Sequence, residues 1–142
     1  MKWEKRFFEM AQLVSTWSKD PSTKVGAVIV RPDNTVASVG YNGFPKGMND
    51  HPDLYADRDV KLSRIVHAEM NAILHAKEPL QGYTLYTWPV LTCDRCAVHV
   101  ISAGIVRVCA PKASPELSER WHEQFKKAKE YYLEGKVIVT EL

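Results

Sequence analysis

Apolar positions along this chain follow two different periods. Over residues 2–18, Trp3, Phe7, Met10, Leu13, Val14 and Trp17 recur at three- and four-residue steps, which keeps one face of a helix apolar. Ser18 to Pro21, "SKDP", ends that pattern. Val25–Val30 and Thr35–Tyr41 are β-branched runs joined by the turn-forming "RPDN", and together they predict a hairpin. "GYNGFPKG", Gly40–Gly47, is loop, because its glycines, asparagine and proline break both regular structures.

Residues 48–64 are polar and read as a loop with a turn of helix over 57–63. Met70, Ile73 and Leu74 return to helical spacing over Val66–Ala76, and Pro79 stops it. Tyr83–Trp88 alternates as a strand, Asp94–Ala103 is helical up to Gly104, and Ile105–Ala110 is a further strand. A long charged helix is expected over 115–134, ended by Gly135, with a last strand over 136–140. Strands alternating with helices imply a mostly parallel sheet covered on both faces, with an antiparallel hairpin at one edge.

The 142 residues, 45% hydrophobic and 25% charged, are enough for one core, so a single domain over 1–142 without a linker is expected. A net charge of +2 lacks the basic excess of a nucleic-acid binder but leaves room for a small anionic ligand. No apolar run reaches the roughly 18 residues that span a membrane. The opening "MKWEKRFFEM" mixes charge into its apolar positions, unlike a secretory signal, so the expected compartment is the reducing cytoplasm. There, two of the three cysteines lying close in sequence point to metal or to chemistry rather than to a structural bridge.

The chemistry concentrates at two predicted helix starts, "HAE" at His67–Glu69 and "CDRC" at Cys93–Cys96. Helix starts in strand-to-helix crossovers share one end of the sheet, where such folds place ligands. One imidazole and two thiolates suit zinc and leave a fourth tetrahedral position for water, the catalytic rather than the structural arrangement. A helix N-terminus further favours the thiolate. Glu69, about half a helical turn from His67, is placed for general acid/base work. Alone, each motif has blander readings: C-x-x-C as structural zinc, a redox pair or core thiols, and "HAE" as a capped helix start. Taken together and in order they match the H-x-E and C-x-x-C signature of zinc deaminases.

On these residues the chain resembles the cytidine and deoxycytidylate deaminase superfamily, and within it the deoxycytidylate deaminases. "SKDPSTKVGAVIV" is similar to that family's first strand and its approach, "GYNGFPKG" to its substrate loop, and "HAEMNAIL" and "CDRCAVHVISAGI" to its two zinc helices. The resemblance implies a three-layer α/β/α fold, a five-stranded mixed sheet with helices on both faces. It implies one catalytic zinc ion per chain held by His67, Cys93 and Cys96, with Glu69 as proton shuttle. Asn42 becomes a substrate contact and Ala68 a backbone donor to the pyrimidine carbonyl. The residues themselves allow this for Asn42, whose amide both donates and accepts, while Gly40 and Gly43 let backbone approach a ligand; an asparagine holding a left-handed turn is the alternative.

The chain also departs from the family pattern. Thr92 stands directly before Cys93 where proline is usual, and Pro89 and Val90 bulge the preceding loop, which bears on the pocket wall and on base selectivity. His51 but no cysteine lies between Met48 and Val66, so a second, structural zinc is not expected. Arg58, Lys61 and Arg64 either bind a nucleotide phosphate or form a solvated helical face with Asp57 and Asp59. Trp88 is a stacking candidate or core, and Cys109 a small buried hydrophobe.

The implied activity is hydrolytic deamination of a cytosine nucleotide, dCMP to dUMP and ammonia, by a cytoplasmic homo-oligomer with no nucleic-acid or membrane partner. A nucleic-acid adenosine deaminase of the tRNA type and a catalytically silent zinc-bearing nucleotide-binding module are the alternatives. Glu69, which zinc binding does not require, counts against the latter.

Overall fold

The computed structural model describes residues 2–142. Its five strands are β1 (Gly26–Val30), β2 (Val36–Tyr41), β3 (Thr84–Trp88), β4 (Arg107–Ala110) and β5 (Ile138–Glu141). The helices are α1 (Lys2–Ser15), α2 (Pro52–Ala56), α3 (Arg58–Arg64), α4 (Ala68–His75), α5 (Asp94–Ser102), α6 (Pro115–Arg120) and α7 (His122–Glu134). The strands form one mixed sheet in the order β2-β1-β3-β4-β5.

The sheet is less parallel than the alternation of elements implies. β1 runs antiparallel to both β2 and β3, and only β3, β4 and β5 are mutually parallel. The hairpin is therefore joined to the parallel half through β1, which is buried along its whole length. The two-residue period of β1 divides the core. Ala27 and Ile29 join Ala68, Ala72, Ala97, Val100 and Tyr132 on the α4, α5 and α7 face, whereas Val28 and Val30 join Phe7, Ala11, Tyr86 and Cys109 on the α1 face. Cys109 is fully buried there, as expected. Trp88 packs against this second cluster, which places it in the core of the α1 face rather than on a ligand.

Two glycines set how closely helices approach the sheet. A Cβ on Gly26 would stand 1.9 Å from the Ala11 carbonyl oxygen of α1, and one on Gly40 would stand 2.4 Å from the Ala72 nitrogen and 2.5 Å from the Ala68 oxygen of α4. Gly40 thus serves helix packing and not approach to a ligand. Gly43 forms a backbone bridge with Val66, accepting at 2.8 Å and donating at 3.1 Å, which ties the loop after β2 to the start of α4.

Two segments differ from the periodicity. The polar stretch before "HAE" folds as two short helices, α2 with Pro52 in its first turn and His51 as its cap, and α3 capped by Asp57, whose carboxylate accepts from the Val60 N–H at 3.2 Å. The expected helix over 115–134 breaks at Trp121, where φ −115° and ψ 15° interrupt it between α6 and α7. α6 has no buried residue, and the inward face belongs to α7, with Ala128 and Tyr132 inside.

Candidate active site

The site lies where β2 and β3 end beside the beginning of β1, since Gly26 pairs with both Tyr41 and Trp88. The chain leaves β3 through Pro89–Thr92 and turns into α5 at Cys93, and the bridge from Gly43 delivers Val66 and His67 to the same place. α4 and α5 pack against one another on one face of the sheet, so their first residues meet.

His67 is the N-cap of α4 with extended backbone, φ −67° and ψ 154°, and its ring makes no capping bond. The imidazole turns instead to the cysteines, with Nδ1 3.4 Å from Cys93 Sγ and 3.2 Å from Cys96 Sγ. Ligands on a tetrahedral zinc at ordinary bond lengths stand about 3.6 Å apart. All three donor atoms lie within 4.8 Å of one another, so the donor set and its spacing fit a single zinc ion. Cys93 caps α5, its sulfur accepting from the Cys96 N–H at 3.4 Å.

The electrostatics follow from these contacts. Hydrogen bonding from Cys96, His67 and the Cys96 amide draws the Cys93 thiol down to about 4, a thiolate at neutral pH. Its hydrogen bond in turn pushes His67 up to about 9. Cys96 shifts upward, through its bond to Cys93 and through burial. Glu69 is also pushed up, chiefly by burial, with His67 and Cys96 opposing the shift. Because His67 is extended and not helical, Glu69 is not turned away by a half turn as helical spacing implies; its carboxyl interacts with the Cys96 thiol.

One cavity carries His67, Ala68, Glu69 and Cys93 together with Asn42 and the cations Arg58, Lys61 and Arg120. The Asn42 amide is bound within the protein. Its oxygen accepts from the Val25 N–H at 2.9 Å, and its nitrogen donates to the Thr23 carbonyl at 2.9 Å and to Asp20 at 3.3 Å. The left-handed alternative fails, since Asn34 and Lys136 are the non-glycine residues with positive φ among those described. Ala68 opens α4, where helix geometry leaves its N–H without an intrahelical acceptor.

The cations divide. Lys61 is buried against Asp20 at 3.2 Å and not paired with Asp57 or Asp59, whereas Arg58 and Arg120 have no carboxylate within ion-pair distance among the described residues. Arg64 lies outside the cavity lining. Sequence periodicity missed Trp121 and Phe125, which also line the cavity; their interval of four on an otherwise charged helix was the available signal.

A five-stranded α/β sandwich that brings one histidine and two cysteines around a buried glutamate has the framework and donor set of a zinc-dependent deaminase. The family model of the cytidine and deoxycytidylate deaminase zinc-binding region matches residues 1–111. The chain belongs to that family, and its cofactor is zinc. An uncharacterized deaminase of Aliivibrio fischeri is 43% identical over 98% of this chain and 92% of its own length. The deoxycytidylate deaminase of Mus musculus is 34% identical over 87% of this chain and 68% of its own length. The fold is that of the dCMP deaminase from cyanophage S-TIM5, with a TM-score of 0.75 at 20% identity over 99% of this chain and 98% of that one. The phage enzyme has also been crystallised with dCMP and dUMP, a structure that aligns with a TM-score of 0.74.

Proposed function

We propose that the protein deaminates a cytosine nucleotide, dCMP first, consuming one water and releasing dUMP and ammonia. The observation that carries this reading is the composition of one cavity: a buried glutamate and two of the zinc-fitting donors, His67 and Cys93, share it with Arg58 and Arg120, which have no carboxylate within ion-pair distance among the described residues. A nucleoside or free base leaves such cations unanswered, whereas a nucleotide brings a phosphate to them. The deoxycytidylate deaminases among the relatives support the same substrate class.

In this reading His67, Cys93 and Cys96 hold the metal. When bound, zinc supplies a Lewis acid that makes water a competent nucleophile near neutral pH. Glu69 takes a proton from the attacking water and returns it to the departing amine, and its burial keeps that proton from bulk solvent. The Ala68 N–H, free at the start of α4, donates to the pyrimidine carbonyl. Asn42 contributes the remaining lone pair of its amide oxygen and braces Val25 beneath the base. Val90, Leu91 and Phe125 exclude water from the same cavity. The enzyme works in pyrimidine nucleotide metabolism, in the cytoplasm and as a homo-oligomer.

The test is ammonia release from a panel of cytosine and adenine bases, nucleosides, mono- and triphosphates and an adenosine-containing RNA hairpin. The expected result is turnover of dCMP, lost in Glu69→Gln while zinc content stays at one per chain. Turnover confined to the RNA, or a Glu69→Gln variant that still deaminates dCMP, would overturn it.

A further inference from the structure

The break between α6 and α7 sits on the cavity. Trp121 ends α6 by donating its N–H to the Leu117 carbonyl at 3.0 Å and opens α7, whose Phe125 N–H donates to the Trp121 carbonyl at 3.0 Å. Trp121 and Phe125 both line the space that holds Glu69, His67 and Cys93. Among the described residues no other aromatic ring packs on Trp121, and only the Arg120 guanidinium stands over it, 5.3 Å from the ring centre. A half-buried indole beside a cation with no carboxylate within ion-pair distance suits a planar, anionic ligand.

A second observation ties this wall to the zinc loop. Thr92, directly before Cys93, is 1% exposed, and its hydroxyl shares a 2.6 Å hydrogen bond with the hydroxyl of the fully buried Tyr132. Residues 125 and 132 fall about 20° apart on a helix of 3.6 residues per turn, so Tyr132 anchors the face of α7 that bears Phe125, and Trp121 is the N-cap of the same helix. Proline at position 92 could make no such bond. The threonine that departs from the family pattern thus bonds α7 directly to the loop carrying Cys93.

We propose that Trp121 is a specificity-determining residue that packs its ring against the nucleotide, and that Thr92 with Tyr132 is the positioning pair that sets its helix over the zinc site. This rests on the nucleotide reading above. Base-to-aromatic stacking of ordinary strength predicts a rise of about 10- to 100-fold in KM for dCMP in Trp121→Ala, with kcat changed much less. Trp121→Phe restores most of it. Thr92→Val raises KM several-fold with zinc retained, and Thr92→Ser recovers it. Tyr132→Phe repeats the Thr92→Val effect should that variant fold poorly.

The binding readout is tryptophan fluorescence on titration with dUMP, the product. A change on binding is expected in the wild type and in Trp88→Phe, and its loss in Trp121→Phe. A wild-type KM in Trp121→Ala, or a dUMP signal that survives Trp121→Phe, overturns the inference. Zinc loss in both Thr92→Val and Tyr132→Phe overturns the positioning role, making the pair a support of the metal site alone. A Trp121-dependent dUMP signal in a wild type that releases no ammonia from dCMP sustains the inference and sinks the deamination reading.

Discussion

Asp20 and Lys61 form an ion pair at 3.2 Å whose side chains are only 7% and 8% exposed, 41 residues apart in the chain. The same carboxylate accepts from the Ser22 N–H at 2.8 Å and from the Asn42 amide at 3.3 Å. α3 is thereby fastened to the segment ahead of β1 and, through Asn42, to the floor of the cavity. Removing one partner of a buried pair strands the other charge, so Lys61→Met should cost about 3–5 kcal/mol in urea unfolding. Lys61→Met with Asp20→Asn should recover part of that loss. Equal stability of Lys61→Met and wild type would show that the pair carries no such weight.

Gly40→Ala tests the seating of α4. Its Cβ would stand 2.4 Å from the Ala72 nitrogen and 2.5 Å from the Ala68 oxygen, both backbone atoms, so α4 must move away from β2. Overpacking of this kind costs about 1–3 kcal/mol, and here it also shifts His67 and Glu69. The expected outcome is a lower melting temperature together with weakened zinc retention on dialysis. Alanine at 40 with normal stability and normal zinc would contradict the close approach.

Zinc removal should be reversible and should destabilise the fold, because an ion bound by the native state alone stabilises by mass action. Cys93→Ser and Cys96→Ser should each lose most of the metal by elemental analysis, whereas Cys109→Ser, in the core of the α1 face, should keep it. Metal retained in both of the first two variants would remove these cysteines from the site.

The ion pair of Arg31 with Glu78 adds a pH dependence away from the site. Hydrogen bonds from Arg31 and then Tyr83 hold the Glu78 carboxyl below its ordinary value. A depressed carboxyl contributes stability above its unfolded pKa and loses it as pH falls through the folded value. Glu78→Gln should therefore melt below wild type at about pH 7, with the gap closing towards about pH 3. A gap independent of pH would assign the effect to packing.

The sequence was most informative where one local pattern sufficed. The β-branched run of β1, the alternation through β3 and the helical periods of α1, α4 and α5 depend on residues a few places apart, and the structure follows them to within a few residues at each end. It was least informative where a long-range contact decided. Trp121 breaks a helix that periodicity runs straight through, and Lys61 leaves the acidic neighbours of its own helix for Asp20. β1 takes β3 as an antiparallel partner, which the bare alternation of elements does not disclose.

By itself the sequence determined which chemistry this protein can carry: "HAE" and "CDRC" hold a zinc donor set and a carboxyl at helix starts, and those residue types admit few other uses together. Only the tertiary structure decided what surrounds that chemistry. The sheet order brings His67 to Cys93 and Cys96, the missing side chain of Gly40 lets α4 settle on β2, and the bond between Thr92 and Tyr132 joins α7 to the loop before Cys93. Ligand identity is a property of residue type and short spacing, whereas the walls of a cavity are assembled from segments whose neighbours are set by packing rather than by sequence proximity.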